Sequence, residues 1–370
     1  MRRRPTAYVV GYYGMLNFGD DLFCDVVRTH ADRLLPGYDV KIVGDYSKRN
    51  RGGGFVNSLS SRWFSSLSSL GSAVRLTAGL KALVCADLIV LGGGSVLSRV
   101  QGVWAVQMRL AALFRTSFRA LGVSIGPFSG GADREAISRF AQRFESMIVR
   151  DASSLKSGLT VAPNSNVTLG GDLAALYSPT GIPMPREAQT RRVGIALCNF
   201  TGFGESEVLQ LASATIEALE STKQPNTTDH IFVVSLNSNN DYGDDELSRI
   251  ATAEFARRAV CVSYVRYADL SVSEVWSLLA SMDGLVAVRL HAAISAYLTS
   301  VPFVLLEYHQ KCIDFCDDIG QDLALRLSGI PTRSDSVDSI ATLFSSPSPT
   351  TLAPSAYAAR ARSVYFGAEQ

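Results

Sequence analysis

The chain has 370 residues, 47% of them hydrophobic and 19% charged, with a formal net charge of +1. That length exceeds one ordinary core and suits two domains, and the composition excludes a disordered chain. The near-neutral charge excludes a nucleic-acid protein that relies on bulk phosphate attraction.

Arg2, Arg3 and Arg4 are followed by no long apolar run, so neither a signal peptide nor a spanning helix is expected. Residues 7–10 read as a strand, 11–19 as a glycine-rich loop, and 20–34 as a helix with Leu22, Phe23, Val26 and Val27 on one side. Strands at 40–43 and 87–91 follow, the second ended by Gly92-Gly93-Gly94. A helix at 103–118, a strand at 119–125, a helix at 133–144 and a strand at 146–149 continue the series. Residues 179–185 carry three prolines and a glycine, which is linker chemistry.

The pattern then restarts. Strands are expected at 193–198, 231–236 and 260–265, with helices at 205–220, 244–258 and 271–281. A short buried strand at 283–288 leads into a helix at 291–298. A Ser/Pro/Thr-rich tail at 346–354 precedes a short closing helix at 356–366. Strands alternating with helices imply parallel, doubly wound sheets. The expected organisation is a first α/β domain over 1–180, a second over 186–345 and a tail over 346–370, with the two domains facing a cleft.

Cys24, Cys85, Cys198, Cys261, Cys312 and Cys316 are scattered, without a Cys-x-x-Cys pair, and there are four histidines. A structural zinc site is therefore not expected, and the usage fits a reducing compartment.

Chemistry is expected where strands hand over to helices, because ligands of α/β folds bind outside the carboxyl ends of the strands. Arg289 and His291 bracket such a switch. Together they suit an anion that must also exchange a proton, although a salt bridge and a satisfied core histidine would read the same way. The loop Gly11-Tyr12-Tyr13-Gly14-Met15-Leu16-Asn17-Phe18-Gly19-Asp20-Asp21 lacks the dinucleotide spacing. Its Asn17 and Asp20 suit a hydroxyl-rich ligand such as a sugar, or else a helix start. Gly92-Gly93-Gly94 implies a close approach of ligand or backbone. Arg150 is a candidate anion clamp, Asp151 a helix cap, and Asp172 follows the Gly170-Gly171 turn.

These pieces, in this order, resemble the polysaccharide pyruvyl transferase family. The match rests on the Gly-x-x-Gly-x-x-Asn-x-Gly-Asp loop, the Gly92 triplet, Val149-Arg150-Asp151 and Gly170-Gly171-Asp172. Above all it rests on Arg289-Leu290-His291 followed by Val301-Pro302. The resemblance covers about residues 7 to 320. It implies a fold similar to the GT-B glycosyltransferases, with two Rossmann-like domains, and transfer of pyruvate from phosphoenolpyruvate to a sugar as a ketal. It also implies that Arg289, His291 and Arg150 hold the donor and carry the reaction. Where the family often has Asp-Pro before a lysine, this chain has Glu307-Tyr308-His309-Gln310-Lys311, which makes Lys311 the match.

The residues fit that chemistry. Phosphoenolpyruvate carries a carboxylate and a phosphate and calls for at least two cationic groups. A histidine of ordinary pKa, roughly 6.5, can give and take protons near neutral pH. The acceptor sugar, in a polysaccharide precursor or glycolipid, is expected on Asn17, Asp20, Gly93, Gly94 and Asp172, and no cofactor or metal is called for. Two other readings stay open: a GT-B glycosyltransferase using a nucleotide sugar, and a non-catalytic sugar-binding protein. A cytoplasmic protein is expected. Lys48, Arg49, Arg51, Arg62 and Arg75 beside Trp63 and Phe64 suit peripheral contact with an anionic bilayer, as do Arg109, Arg115 and Arg119 near Trp104, Leu110, Leu113 and Phe114.

Overall fold

The structure is a computed structural model and describes residues 3–44, 63–111, 113–114, 116–179 and 189–367. The chain forms two compact units, one of residues 1–177 with 357–370 and one of residues 178–356.

The first unit is built on six parallel strands: β1 (Thr6–Val10), β2 (Asp39–Ile42), β3 (Leu88–Leu97), β4 (Ser117–Ile125), β5 (Phe144–Val149) and β6 (Asn166–Leu169). They lie in the order β2-β1-β3-β4-β5-β6. The direction of winding reverses between β1 and β3, and a reversal of this kind opens a crevice at the carboxyl ends of the strands. Right-handed crossovers place the helices Ser69–Cys85, Gly102–Ala111, Gly131–Ala141 and Ala152–Val161 on one face. There Leu83, Met108, Ile137, Phe140 and Val161 share a core with Ile89, Leu91, Val123 and Met147. The helix Phe18–Thr29 covers the opposite face with buried Leu22, Phe23, Val26 and Val27, the stripe that its sequence spacing implies.

The second unit repeats the plan with β7 (Thr190–Ala196), β8 (Thr228–Ser235), β9 (Cys261–Arg266), β10 (Gly284–Ala287), β11 (Phe303–Glu307) and β12 (Arg326–Ser328). The order is β12-β11-β10-β7-β8-β9, again all parallel, with the reversal between β7 and β10. Alternate residues Val193, Ile195, Ile231, Val233, Val286, Val304 and Leu306 face one core. That core is closed by Val208, Leu211, Ala251, Phe255, Ile340 and Leu343 from three helices. The sheets are doubly wound as the alternation implies.

Several boundaries differ from the sequence reading. The strand expected to stop at residue 91 runs through all three glycines to Leu97. The helix expected to reach residue 118 ends at Ala111, and Phe118 lies in β4. The helix expected over 20–34 begins at Phe18 and breaks at His30, where the Ala31–Leu34 turn takes over. The helices Ser69–Cys85 and Arg333–Ser345 and the strand Asn166–Leu169 were not anticipated. Cys85 ends the first of these helices and is exposed. The linker at 180–185, Arg115 and the basic stretch over 45–62 lie outside the described residues.

The closing helix, Pro354–Phe366, returns to the first unit from Tyr357 onward. Tyr357, Ala361 and Tyr365, four residues apart, are its buried stripe. The Tyr357 hydroxyl accepts from Asp172 N at 2.6 Å, and the Tyr365 hydroxyl donates to Gly171 O at 2.8 Å. The Phe366 ring lies 5.1 Å from the His30 ring, with the Arg33 guanidinium 3.9 Å from its centroid.

Candidate active site

In the second unit four loops leave the carboxyl ends of adjacent strands. The loop after β10 carries Arg289, whose extended backbone (φ −80°, ψ 125°) caps the helix Leu290–Leu298. Arg289 N and Val288 N both donate to Ala196 O, at 3.2 and 2.8 Å, which ties this turn to the end of β7. The loop after β8 supplies Asp244, which is fully buried. Arg289 donates to it through Nε and Nη2, each at 2.6 Å. This is the two-pronged geometry of an ionised pair. Asp244 is itself fixed, accepting from Asn199 N at 2.9 Å while its own N donates to Asn237 O at 2.7 Å.

The electrostatics follow from burial. Burial opposes the Arg289 charge, but the Asp244 carboxylate and the Cys198 thiol outweigh it and hold the guanidinium more firmly protonated than usual. Burial also pushes the Asp244 carboxyl up against the pull of Arg289. Cys198, at the end of the β7 strand run, is buried, and burial pushes its thiol up while Arg289 and Lys311 pull it down. Its thiol donates to Asn199 O at 3.8 Å, and burial pushes the nearby Tyr308 hydroxyl well up. Tyr308 stacks on Phe200 with ring centroids 4.5 Å apart, and the Lys311 ammonium lies 5.4 Å from the Tyr308 ring. Arg289 and Lys311 are thus the cations that act on Cys198. His291 sits in the first turn of the helix that Arg289 caps and is half-buried. Its carbonyl accepts from Ser295 Oγ at 2.7 Å.

Asp244, Asn199, Cys198 and Tyr308 were not singled out in the sequence. Asp244-Asp245 looks like an ordinary acidic helix start, and Asp245 does begin the helix Asp245–Arg257. The pairing of Asp244 with an arginine 45 residues away is visible only in the fold.

In the first unit the expected residues form two sets that meet on β3. Asn17 caps the helix Phe18–Thr29, accepting from Gly19 N at 3.3 Å, and its Nδ2 donates to Asp20 Oδ2 at 2.7 Å. Asp20 Oδ1 is 3.6 Å from where a Cβ on Gly94 would stand. Asn17, Asp20 and Gly94 are therefore together. The other glycines serve packing. A Cβ on Gly93, at φ +71°, would lie 2.3 Å from the Phe23 ring. One on Gly92 would lie 2.2 Å from the Tyr13 hydroxyl, which donates to Gly92 O. The close approach that the triplet implied is that of the chain's own aromatic side chains.

Arg150 follows β5 and is buried. Its Nε meets Asp151 Oδ2 at 3.3 Å, its Nη1 lies 3.9 Å from Asp172 Oδ2, and its Nη2 donates to Ser95 Oγ at 3.4 Å. Asp151 also caps the helix Ala152–Val161 through Ser154 N at 2.7 Å. Asp172 is buried and accepts from Ala174 N at 2.9 Å, so it organises the turn Leu173–Leu176 and faces Arg150. Burial pushes its carboxyl up, against the pull of Arg150.

The family model described as polysaccharide pyruvyl transferase matches residues 17–310. No curated protein is significantly similar to the chain. The fold is that of a putative UDP-N-acetylglucosamine 2-epimerase from Listeria monocytogenes (TM-score 0.59, 10% identity, 100% of this chain and 98% of that one). It is also that of the UDP-GlcNAc 2-epimerase of Neisseria meningitidis bound to UDP-GlcNAc (TM-score 0.55, 11% identity, 96% and 94% covered). A UDP-forming trehalose-phosphate synthase from Burkholderia xenovorans is similar at a TM-score of 0.51 and 9% identity, over 98% and 95% of the two chains. At such identities the likeness establishes the GT-B-like architecture of two Rossmann-like domains.

Proposed function

The chain belongs to the polysaccharide pyruvyl transferase family, and from that premise we propose that it transfers the pyruvyl group of phosphoenolpyruvate to two hydroxyls of a glycan sugar, forming a ketal and releasing phosphate. The observation that carries this reading is the Arg289 guanidinium, held through one edge by Asp244 at the winding reversal of the second unit, with Lys311 in the first turn of the helix Gln310–Ile319 that follows the neighbouring strand β11. Asp244 occupies Nε and one Nη2 hydrogen. Among the described residues the remaining N–H groups meet no other acceptor, and they suit a carboxylate or a phosphate. Lys311 supplies a second cation for the other anionic group.

The reaction begins as a proton adds to the methylene carbon of the donor, and its C2 takes oxocarbenium character. One sugar hydroxyl attacks C2 and loses its proton. The C2–O bond to the phosphate then breaks, and the second hydroxyl attacks as it loses its own proton. One of the two hydroxyl protons replaces that consumed at the methylene carbon, and the other leaves with the phosphate. His291 serves as the group that gives and takes these protons. The Asp20 carboxylate and the Asn17 amide of the first unit suit recognition of sugar hydroxyls, and they stand beside the bare backbone of Gly94.

Incubation with phosphoenolpyruvate and a panel of aryl glycosides and glycolipids should release phosphate in step with a ketal product, identified by mass and NMR. Arg289→Ala should weaken donor binding. His291→Ala should lower turnover by about a hundred- to ten-thousand-fold while changing donor affinity far less. Release of nucleotide from nucleotide sugars, with phosphoenolpyruvate left intact, would replace this reading with a glycosyltransferase.

A further inference from the structure

We propose that the outer face of the helices Ser69–Cys85 and Gly102–Ala111 is a docking surface for an anionic phospholipid bilayer. The inference goes beyond the proposed reaction and does not rest on it. The two helices lie side by side on one face of the first sheet. Gly79 of one leaves room for Gln107 of the other, whose Nε2 donates to Arg75 O at 3.1 Å. Their solvent-facing residues recur at helical spacing. On the first helix these are Leu70, Ala73, Thr77, Lys81 and Val84. On the second they are Val106 and Arg109, and Leu113 continues the line just past its end.

This stripe is unusually apolar for a surface. Leu113 is 77% exposed, Val84 68% and Leu70 50%. Among the described residues eleven large hydrophobics are exposed, and six of them (Trp63, Leu67, Leu70, Val84, Val106 and Leu113) belong to these two helices and their flanks. A cluster of this kind marks an interaction site. Its charge is one-sided. From residue 63 to 114 the cations are Arg75, Lys81, Arg99 and Arg109 and the lone carboxylate is Asp87. Asp87 accepts from Thr6 N at 2.7 Å, at the start of β1.

The charge selects the partner. A second copy of the same face would set Lys81 and Arg109 against like charges, with no carboxylate on the stripe to answer them. An anionic bilayer answers both features, with acyl chains for Leu70, Val84 and Leu113 and phosphate headgroups for Lys81 and Arg109. Among the described residues no helix is long and apolar enough to cross a membrane, so the contact lies in the plane of the interface. The structure moves this surface away from the basic stretch singled out in the sequence. Arg75 is turned inward, donating to Phe64 O and Ser66 O at 2.6 Å each, and residues 45–62 lie outside the described residues.

The test is co-sedimentation of the full chain with vesicles of equimolar phosphatidylglycerol and phosphatidylcholine, against phosphatidylcholine alone, at low and high salt. Binding to the anionic vesicles that weakens with salt is expected. The double variant Lys81→Glu with Arg109→Glu should reduce it about tenfold or more. The triple variant Leu70→Ser, Val84→Ser and Leu113→Ser should reduce it by a similar factor, with the thermal transition of each variant showing that it folds. Equal binding to both vesicle types, undiminished binding by the folded charge variant, or absence of binding would overturn the proposal. So would a concentration-dependent dimer abolished by the triple variant, which would make the face a self-interface. None of these readouts requires turnover.

Discussion

The Asp244 carboxylate has no exposed surface, and both of its oxygens meet Arg289. It also fixes the loop around it, since Asn199 N donates to it and Asn199 Nδ2 in turn reaches Gly243 O at 3.3 Å. A salt bridge and an anion site were competing readings of Arg289, and the geometry makes them compatible. The pair orients the guanidinium, and an oriented guanidinium binds an anion without first losing side-chain freedom. Asp244→Asn keeps the shape and removes the charge. It should lower donor affinity and also lower the melting temperature, because breaking a buried pair from one side costs about 3–5 kcal/mol. Paired calorimetry and donor-binding titration check this. An unchanged affinity in a destabilised protein would reduce Asp244 to a structural role.

At the scale of elements, Arg150 joins β5, the Asp151 cap of the helix Ala152–Val161, the Asp172 turn and Ser95 of β3. Arg150→Ala should therefore destabilise the first unit as well as impair activity, since it leaves two carboxylates facing each other. The direction with pH follows from Asp172. Burial raises its folded-state pKa above the ordinary carboxylate value, and removing the arginine raises it further. A folded-state pKa above the unfolded one means that stability falls as pH rises through the carboxylate range. The loss in melting temperature should thus be larger at neutral pH than near the ordinary carboxylate pKa. Melting curves across that range check it, and a loss independent of pH would remove Asp172 from the account.

The same network shows what was legible in the sequence. Alternating apolar runs and glycine turns are local signals, so the doubly wound sheets and the Arg289 strand end could be read from them. The glycine triplet gave a true signal of close approach, but whether a ligand or Tyr13 and Phe23 come close is a long-range fact. The helix Ser69–Cys85 was missed because its exposed stripe is as apolar as its buried one, which erases the periodicity that announces a surface helix. The Asp244–Arg289 pair was missed because acidic residues at a helix start already have a local explanation.

At the scale of the molecule, the chain leaves the first unit at Tyr177, builds the second, and returns at Tyr357. The returning helix fits spaces kept open by glycines. A Cβ on Gly122 would lie 2.9 Å from the Tyr365 hydroxyl, and one on Gly171 3.0 Å from the Tyr357 ring. Truncation after Ala353 should expose those surfaces and leave Asp172 N and Gly171 O without their tyrosine partners. Hydrogen exchange should then show faster exchange across β1, β3, β4, β5 and β6 with β7 to β12 unchanged. Protection lost equally in both sheets would contradict this.

That return path sets an order of events during synthesis. A ribosome that has released residues 1–177 has not yet made the helix that seals this sheet's second face. The first unit must wait, with Gly171 and the Phe18–Thr29 layer incompletely covered, while the whole second unit is translated. The half made first is thus the half finished last, and the nascent chain is most open to capture by chaperones or by neighbouring chains during that interval.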